Sequence, residues 1–238
     1  MTAQCVLRTV RAGEYRWSIR DLAAAHDTAP TVVLVPGLGS GEYLLPHAER
    51  LATSRRVLVP DMPGFGHTRG PRRLRTVAEF GSTLVELVRA EADGVVDLIG
   101  NSFGSQVVLA AAGQAPELVR RIVLIGPTFD SAARTYRQVL SRWLLIAPRE
   151  PPALAVSLAR SYLKCGVRTP LFALQAAMRD RPEDLVATLP HPILLVRGSN
   201  DRIAPRRWLE DLQQRAADAR IAEVPDTAHT VDFAAPEA

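Results

Sequence analysis

Short runs of adjacent apolar residues recur along the chain: "TVVLV" (31–35), "RRVLVP" (55–60), "VVDLI" (95–99), "RIVLI" (121–125), "PILLV" (192–196) and "RIAEV" (220–224). They are nearly continuous rather than alternating. A strand covered on both faces needs apolar side chains at successive positions, so these runs predict a buried parallel sheet. Between them the period changes. In "TVAEFGSTLVELVRAEADG", Val77, Phe80, Leu84, Leu87 and Val88 fall on one helical face. Thr76 and Glu79 have capping-box spacing at its start, and Gly94 closes it. "WLEDLQQRAADA" is a second amphipathic stretch, placed before the last run. At the N-terminus "CVLRTV" and "YRWSIRDL" flank "RAGE", which reads as a hairpin turn. Strand–helix alternation predicts an α/β protein: a mostly parallel central sheet flanked by helices, with right-handed crossovers.

One interval breaks the rhythm. About sixty residues separate "RIVLI" from "PILLV", far more than an ordinary crossover. Pro148, Pro151, Pro152, Pro170 and Pro182 cut it into short helical pieces rich in Leu, Ala and Arg. The expected organisation is a core of residues 1–129 and 190–238 with a helical cap inserted at 130–189.

Composition narrows the function classes. A chain of 238 residues with 47% hydrophobic and 23% charged residues is ordinary for a globular protein. No apolar run approaches the length of a membrane span, and the first residues lack a secretory h-region, so a cytoplasmic protein is expected. Cys5 and Cys165 are far apart and form no metal-ligand spacing, so neither a disulfide framework nor a metal site is expected. The net charge is +4, yet Lys164 is the only lysine and the arginines are scattered without interleaved aromatics. A nucleic-acid partner needs a clustered basic face, and none is expected.

The stretch "VVDLIGNSFGSQVVLAAAG" (95–113) carries the chemistry. Gly100-Asn101-Ser102-Phe103-Gly104 fits G-x-S-x-G between a buried strand and a small-residue helix. A serine hydroxyl is a weak nucleophile; it needs exposure, a base within reach and donors for the oxyanion. A tight strand–turn–helix corner lifts Ser102 out, and a Cβ at 100 or 104 would strike backbone. The helix that follows aims free N–H groups at the site, which makes the Phe103 amide a candidate oxyanion donor.

With these residues the chain resembles the α/β-hydrolase family, and the likeness extends beyond the corner. "VVLVPGLGSGEY" (32–43) is similar to the family's oxyanion loop, with Pro36 where histidine is common. "PDMPGFGHT" (60–68) resembles its D-x-P-G-x-G-x-S loop, with Thr68 in place of serine. "LLVRGSNDRIAP" (194–205) resembles the segment that carries the acid, and "VPDTAHTVDFAAPEA" (224–238) the loop that carries the histidine. The chain ends nine residues after His229, where relatives of that family usually continue with a closing helix.

The resemblance implies a nucleophile, acid, base order of Ser, Asp or Glu, then His. After the serine only His191 and His229 remain. His191 precedes a strand, at the wrong end of the sheet, so His229 is the implied general base. Asp201 follows the strand "PILLVRG" and is the implied acid; Asp130, just past the preceding strand, is the alternative and would otherwise cap the first cap helix in "DSAAR". Leu38 would supply the second oxyanion amide beside Phe103. The implied reaction is acyl transfer to water without cofactor, most simply by a carboxylesterase. A C–C bond hydrolase, a lactonase, a thioesterase and a non-catalytic binder of the same fold are the alternatives. The expected partner is a small, hydrophobic acyl substrate, with Trp143 and Leu144 of the cap as pocket candidates. Arg134, Arg137 and Arg142 share helical spacing and suit either a substrate carboxylate or a solvated face.

Overall fold

A computed structural model of the protein describes residues 4–24, 29–70, 76–166 and 168–237. The chain begins with an antiparallel hairpin, β1 (Cys5–Ala12) and β2 (Tyr15–Leu22), which turns through Gly13 and Glu14. The apolar runs become β3 (Val32–Val35), β4 (Val57–Pro60), β5 (Val96–Asn101), β6 (Val119–Ile125), β7 (Ile193–Gly198) and β8 (Ala219–Val224). They form one eight-stranded sheet in the order β1-β2-β4-β3-β5-β6-β7-β8. Among the described residues only the β1–β2 and β2–β4 pairs are antiparallel.

Successive side chains on a strand point to opposite faces, and each face has its own apolar layer. On β3, Val33 and Val35 join the layer of Phe80, Leu84, Val107 and Trp208. Val32 and Leu34 join the opposite layer, with Leu44, Ala48 and Val231. Helices α2 (Val77–Glu91), α3 (Phe103–Gln114) and α8 (Arg206–Arg215) cover the first face. Helices α1 (Leu45–Leu51) and α9 (Val231–Ala234) cover the second. This double coverage is why the strand sequences are continuous in apolar residues. The Thr76–Glu79 capping box is present in full.

Among the described residues four α-helices lie between β6 and β7: α4 (Tyr136–Ile146), α5 (Pro152–Cys165), α6 (Arg168–Arg179) and α7 (Pro182–Val186). The first does not start at Asp130. Its cap is Thr135, in a capping box with Gln138, whereas Asp130 closes a turn by accepting from the Ala132 amide at 3.0 Å. The apolar run at 95–99 also understates its strand: β5 continues through Gly100 and Asn101, which still pair with Leu124 and Ile125 of β6. Among the described residues no helix is long and apolar enough to cross a membrane.

Candidate active site

Ser102 stands where β5 meets α3, with φ 52° and ψ −117°. That is a strained conformation for a residue with a side chain. The corner closes because its flanks are bare. A Cβ on Gly100 would lie 2.4 Å from the Gly104 carbonyl oxygen, and one on Gly104 would lie 2.3 Å from that of Val35. The Ser102 amide donates to the Ile125 carbonyl at 2.8 Å, which pins the corner to β6.

Two loops beyond the carboxyl ends of β7 and β8 bring the other groups to it. His229 Nε2 lies 2.9 Å from Ser102 Oγ, and His229 Nδ1 lies 2.9 Å from Asp201 Oδ2. The second oxygen of Asp201 accepts from the amides of Ile203 at 2.7 Å and Ala204 at 3.0 Å. The carboxylate therefore has one fixed orientation. Burial pulls the His229 pKa down, but the charge and hydrogen bond of Asp201, together with the Glu150 and Asp232 charges, outweigh it, and the net shift is upward. The Trp143 ring meets the imidazole edge to face, with centroids 5.6 Å apart.

The alternative acid, Asp130, is not at the histidine. Its buried carboxylate is held by Arg207 and, at 2.8 Å, by Arg142. Burial pushes its pKa up, but the two arginines and the Ala132 amide prevail and the net shift is downward. His191 bonds to the Pro116 carbonyl at 3.1 Å, remote from the serine. Asp61 organises its own loop, accepting from Arg20 and from the amides of Gly41 and His67.

Residues beyond those singled out in the sequence also meet here. Glu150, from the segment between α4 and α5, accepts from the His229 amide at 2.7 Å and the Thr230 amide at 3.2 Å, and pairs with the Thr230 hydroxyl. It braces the histidine loop from the inserted helices. Beneath the serine runs a directed hydrogen-bond line. The Gly37 amide donates to the Tyr43 hydroxyl at 2.7 Å, Tyr43 donates to Asn101 Oδ1 at 2.7 Å, and Asn101 Nδ2 donates to Asp232 Oδ1 at 3.3 Å. Asp232 Oδ2 is buried with no hydrogen-bond partner among the described residues. Burial there raises the Asp232 pKa to about 7. None of these partners is spelled by a motif. Only the position of Asp232, three residues past His229, is a local signal.

A cavity of about 510 Å³ opens above Ser102. Leu38 and Phe103 line it beside the serine, and among the described residues neither backbone N–H is spent on a protein acceptor. Among the described residues no Asp, Glu, Lys or Arg side chain lines it; the walls are mainly Leu, Phe, Tyr, Val and Trp. Trp143 lines it, but Leu144 does not: the neighbouring side chain points outward and is 66% exposed. Arg134 and Arg142 are taken by Glu183 and Asp130, so neither is free for a substrate carboxylate. Among the described residues no group of three or more His, Cys, Asp or Glu is placed to hold a metal ion.

A mostly parallel sheet with a serine corner, and a histidine loop past the last strand, defines a hydrolase of the α/β class. The chain belongs to the alpha/beta hydrolase family, whose model matches residues 32–238. It is similar to the 2-hydroxy-6-oxo-2,4-heptadienoate hydrolase of Pseudomonas putida, 28% identical over 83% of this chain and 80% of that protein. It is similar also to the pimeloyl-[acyl-carrier protein] methyl ester esterase of Nitrosomonas europaea, 28% identical over 79% of this chain and 84% of that one. Among solved structures, a thermophilic esterase from Thermogutta terrifontis superimposes with a TM-score of 0.77 at 23% identity, over 99% of this chain and 94% of that chain. The last of these likenesses is one of fold.

Proposed function

We propose that the protein is a serine hydrolase that cleaves uncharged, apolar carboxylic esters through an acyl-enzyme. One observation carries this reading: the unbroken hydrogen-bonded line Ser102–His229–Asp201 opens on an apolar cavity. Ser102 Oγ attacks the ester carbonyl carbon while His229 Nε2 takes its proton. Asp201 holds the Nδ1–H and stabilises the imidazolium. The amides of Leu38 and Phe103 bind the oxyanion. As the tetrahedral centre collapses, His229 gives its proton to the leaving alkoxide. Water then attacks the acyl-enzyme by the same route. Glu150 holds the backbone of the base, and the line from Gly37 to Asp232 ties the oxyanion loop to the serine corner. Residues 130–189 act as the cap that walls the acyl pocket, on a core of 1–129 and 190–238.

The choice of ester over C–C bond rests on charge. The dienoate substrate of the Pseudomonas relative carries a carboxylate, which needs a cation or several donors when buried. Among the described residues no Arg or Lys lines this cavity. A fluorophosphonate probe and a series of p-nitrophenyl esters test the proposal together. The wild-type protein is expected to be labelled at Ser102 and to show a burst of p-nitrophenol equal to the enzyme concentration. Absence of both labelling and turnover would leave a ligand-binding member of the fold.

A further inference from the structure

Helices α4, α5 and α6 surround the cavity mouth and carry an unusual surface. Eight of the twelve large apolar side chains exposed among the described residues lie between 136 and 172. On α4, Tyr136, Leu140 and Leu144 form a stripe at intervals of four residues. On α5, exposed Val156, Arg160, Leu163 and Lys164 share one face, and Leu163 is 86% exposed. On α6, Arg168 stands one turn before Leu171 and Phe172. Tyr136, Leu140 and Leu171 both line the cavity and reach solvent, so the mouth opens within this surface.

Its charge is one-sided. Positions 131–179 hold eight Arg or Lys and a single acid, Glu150, while the rest of the chain holds more acids than bases. Glu150 is already occupied by His229 and Thr230. Arg134 and Arg142 are paired, but Arg137, Arg149, Arg160, Lys164, Arg168 and Arg179 are exposed and in no ion pair among the described residues. Large exposed apolar groups interleaved with unpaired cations suit a partner that is anionic at its surface and apolar below it.

We infer that this face docks on an anionic lipid surface, from which the apolar acyl group of the substrate enters the cavity. The inference deepens the ester-hydrolase reading and rests on it for the fate of the acyl group, but not for binding itself. A lipid surface is favoured over an acidic protein because the exposed apolar side chains are spread over three helices around the mouth. An acyl chain passing from bilayer to cavity there avoids the cost of crossing water.

The test is sedimentation of the intact Ser102→Ala protein with vesicles of equal parts phosphatidylglycerol and phosphatidylcholine, beside vesicles of phosphatidylcholine alone. Binding to the anionic vesicles is expected, weakening as salt is raised. The double variant Arg160→Gln, Lys164→Gln should weaken it by about 25-fold, taking about fivefold per cation. Leu144→Gln with Leu163→Gln, in the Ser102 background, should bind little while hydrolysing a soluble short ester at the unmodified rate, since neither leucine lines the cavity. The proposal falls if anionic vesicles do not sediment the protein, or if both double variants bind like their parent. It falls equally if light scattering shows a dimer that the leucine variant dissolves, or if the face holds an acidic acyl-carrier protein but no vesicle. Vesicle binding without any ester turnover would retain the docking surface and reject the hydrolase reading.

Discussion

Asp232→Asn removes one proton-binding group from the buried end of the Gly37–Tyr43–Asn101 line while keeping an oxygen for Asn101 to donate to. In the folded protein burial raises this carboxyl from 3.8 to about 7. The unfolded chain releases the proton near the ordinary value. Below pH ~4 both states are protonated and the residue costs nothing. From there to pH ~7 the unfolded state ionises first, so stability falls by about 1.4 kcal/mol per pH unit. Above pH ~7 both states are ionised and the loss is constant, at about 4 kcal/mol. The asparagine variant has no such loss. Urea unfolding of both proteins at pH 4, 6 and 8 should show their stabilities diverging with rising pH in favour of the variant, until the gap levels off. A gap that does not change with pH, or one that moves against the variant as pH rises, would refute the argument. The Asp232 charge also helps to hold the His229 pKa up. The acid limb of ester hydrolysis should therefore move to lower pH in the same variant.

Ser102→Ala should cost on the order of 10⁶ in kcat for a p-nitrophenyl ester, measured against a blank without enzyme. Asp201→Asn should cost about 10⁴ by leaving the imidazole in the wrong tautomer. Asp130→Asn should leave kcat near normal and lower the melting temperature, because Asp130 serves Arg142 and Arg207; the reverse pattern would reassign the acid. Glu150→Gln keeps an acceptor for the His229 amide but removes a charge that raises the imidazole pKa. Its pH–rate profile should rise at lower pH than the wild type, with a similar plateau. A lowered plateau with an unmoved pKa would make Glu150 a brace without electrostatic effect. Gly104→Ala should fold poorly, since the added carbon meets the Val35 and Pro36 carbonyls, and thermal unfolding of the purified variant measures the loss.

Much of the sheet could be read along the chain, because burial on both faces imposes continuous apolar runs and a turn imposes its own residues. The glycines at 100 and 104 were legible for the same reason: backbone contact excludes a Cβ whatever surrounds it. Strand ends were less so. β5 extends through Gly100 and Asn101 because β6 lies beside them, which no local pattern records. Leu144 shows the same limit on a helix. It is as apolar as Trp143 beside it, yet the direction of one residue on the helix turns it to solvent.

The sequence by itself determined the alternation of strands and helices, the serine corner and the two loops that follow the last strands. Local hydrogen bonding and burial act between near neighbours, so their demands are written in adjacent residues. Only the tertiary structure decided between Asp201 and Asp130 at the histidine. It brought Glu150 to the histidine loop across 79 positions, and Asn101 to Asp232 across 131. Those pairings depend on the order of strands in the sheet and on where each loop leaves it. A hydrogen bond weakens steeply within an ångström, and sequence spacing does not specify position that finely.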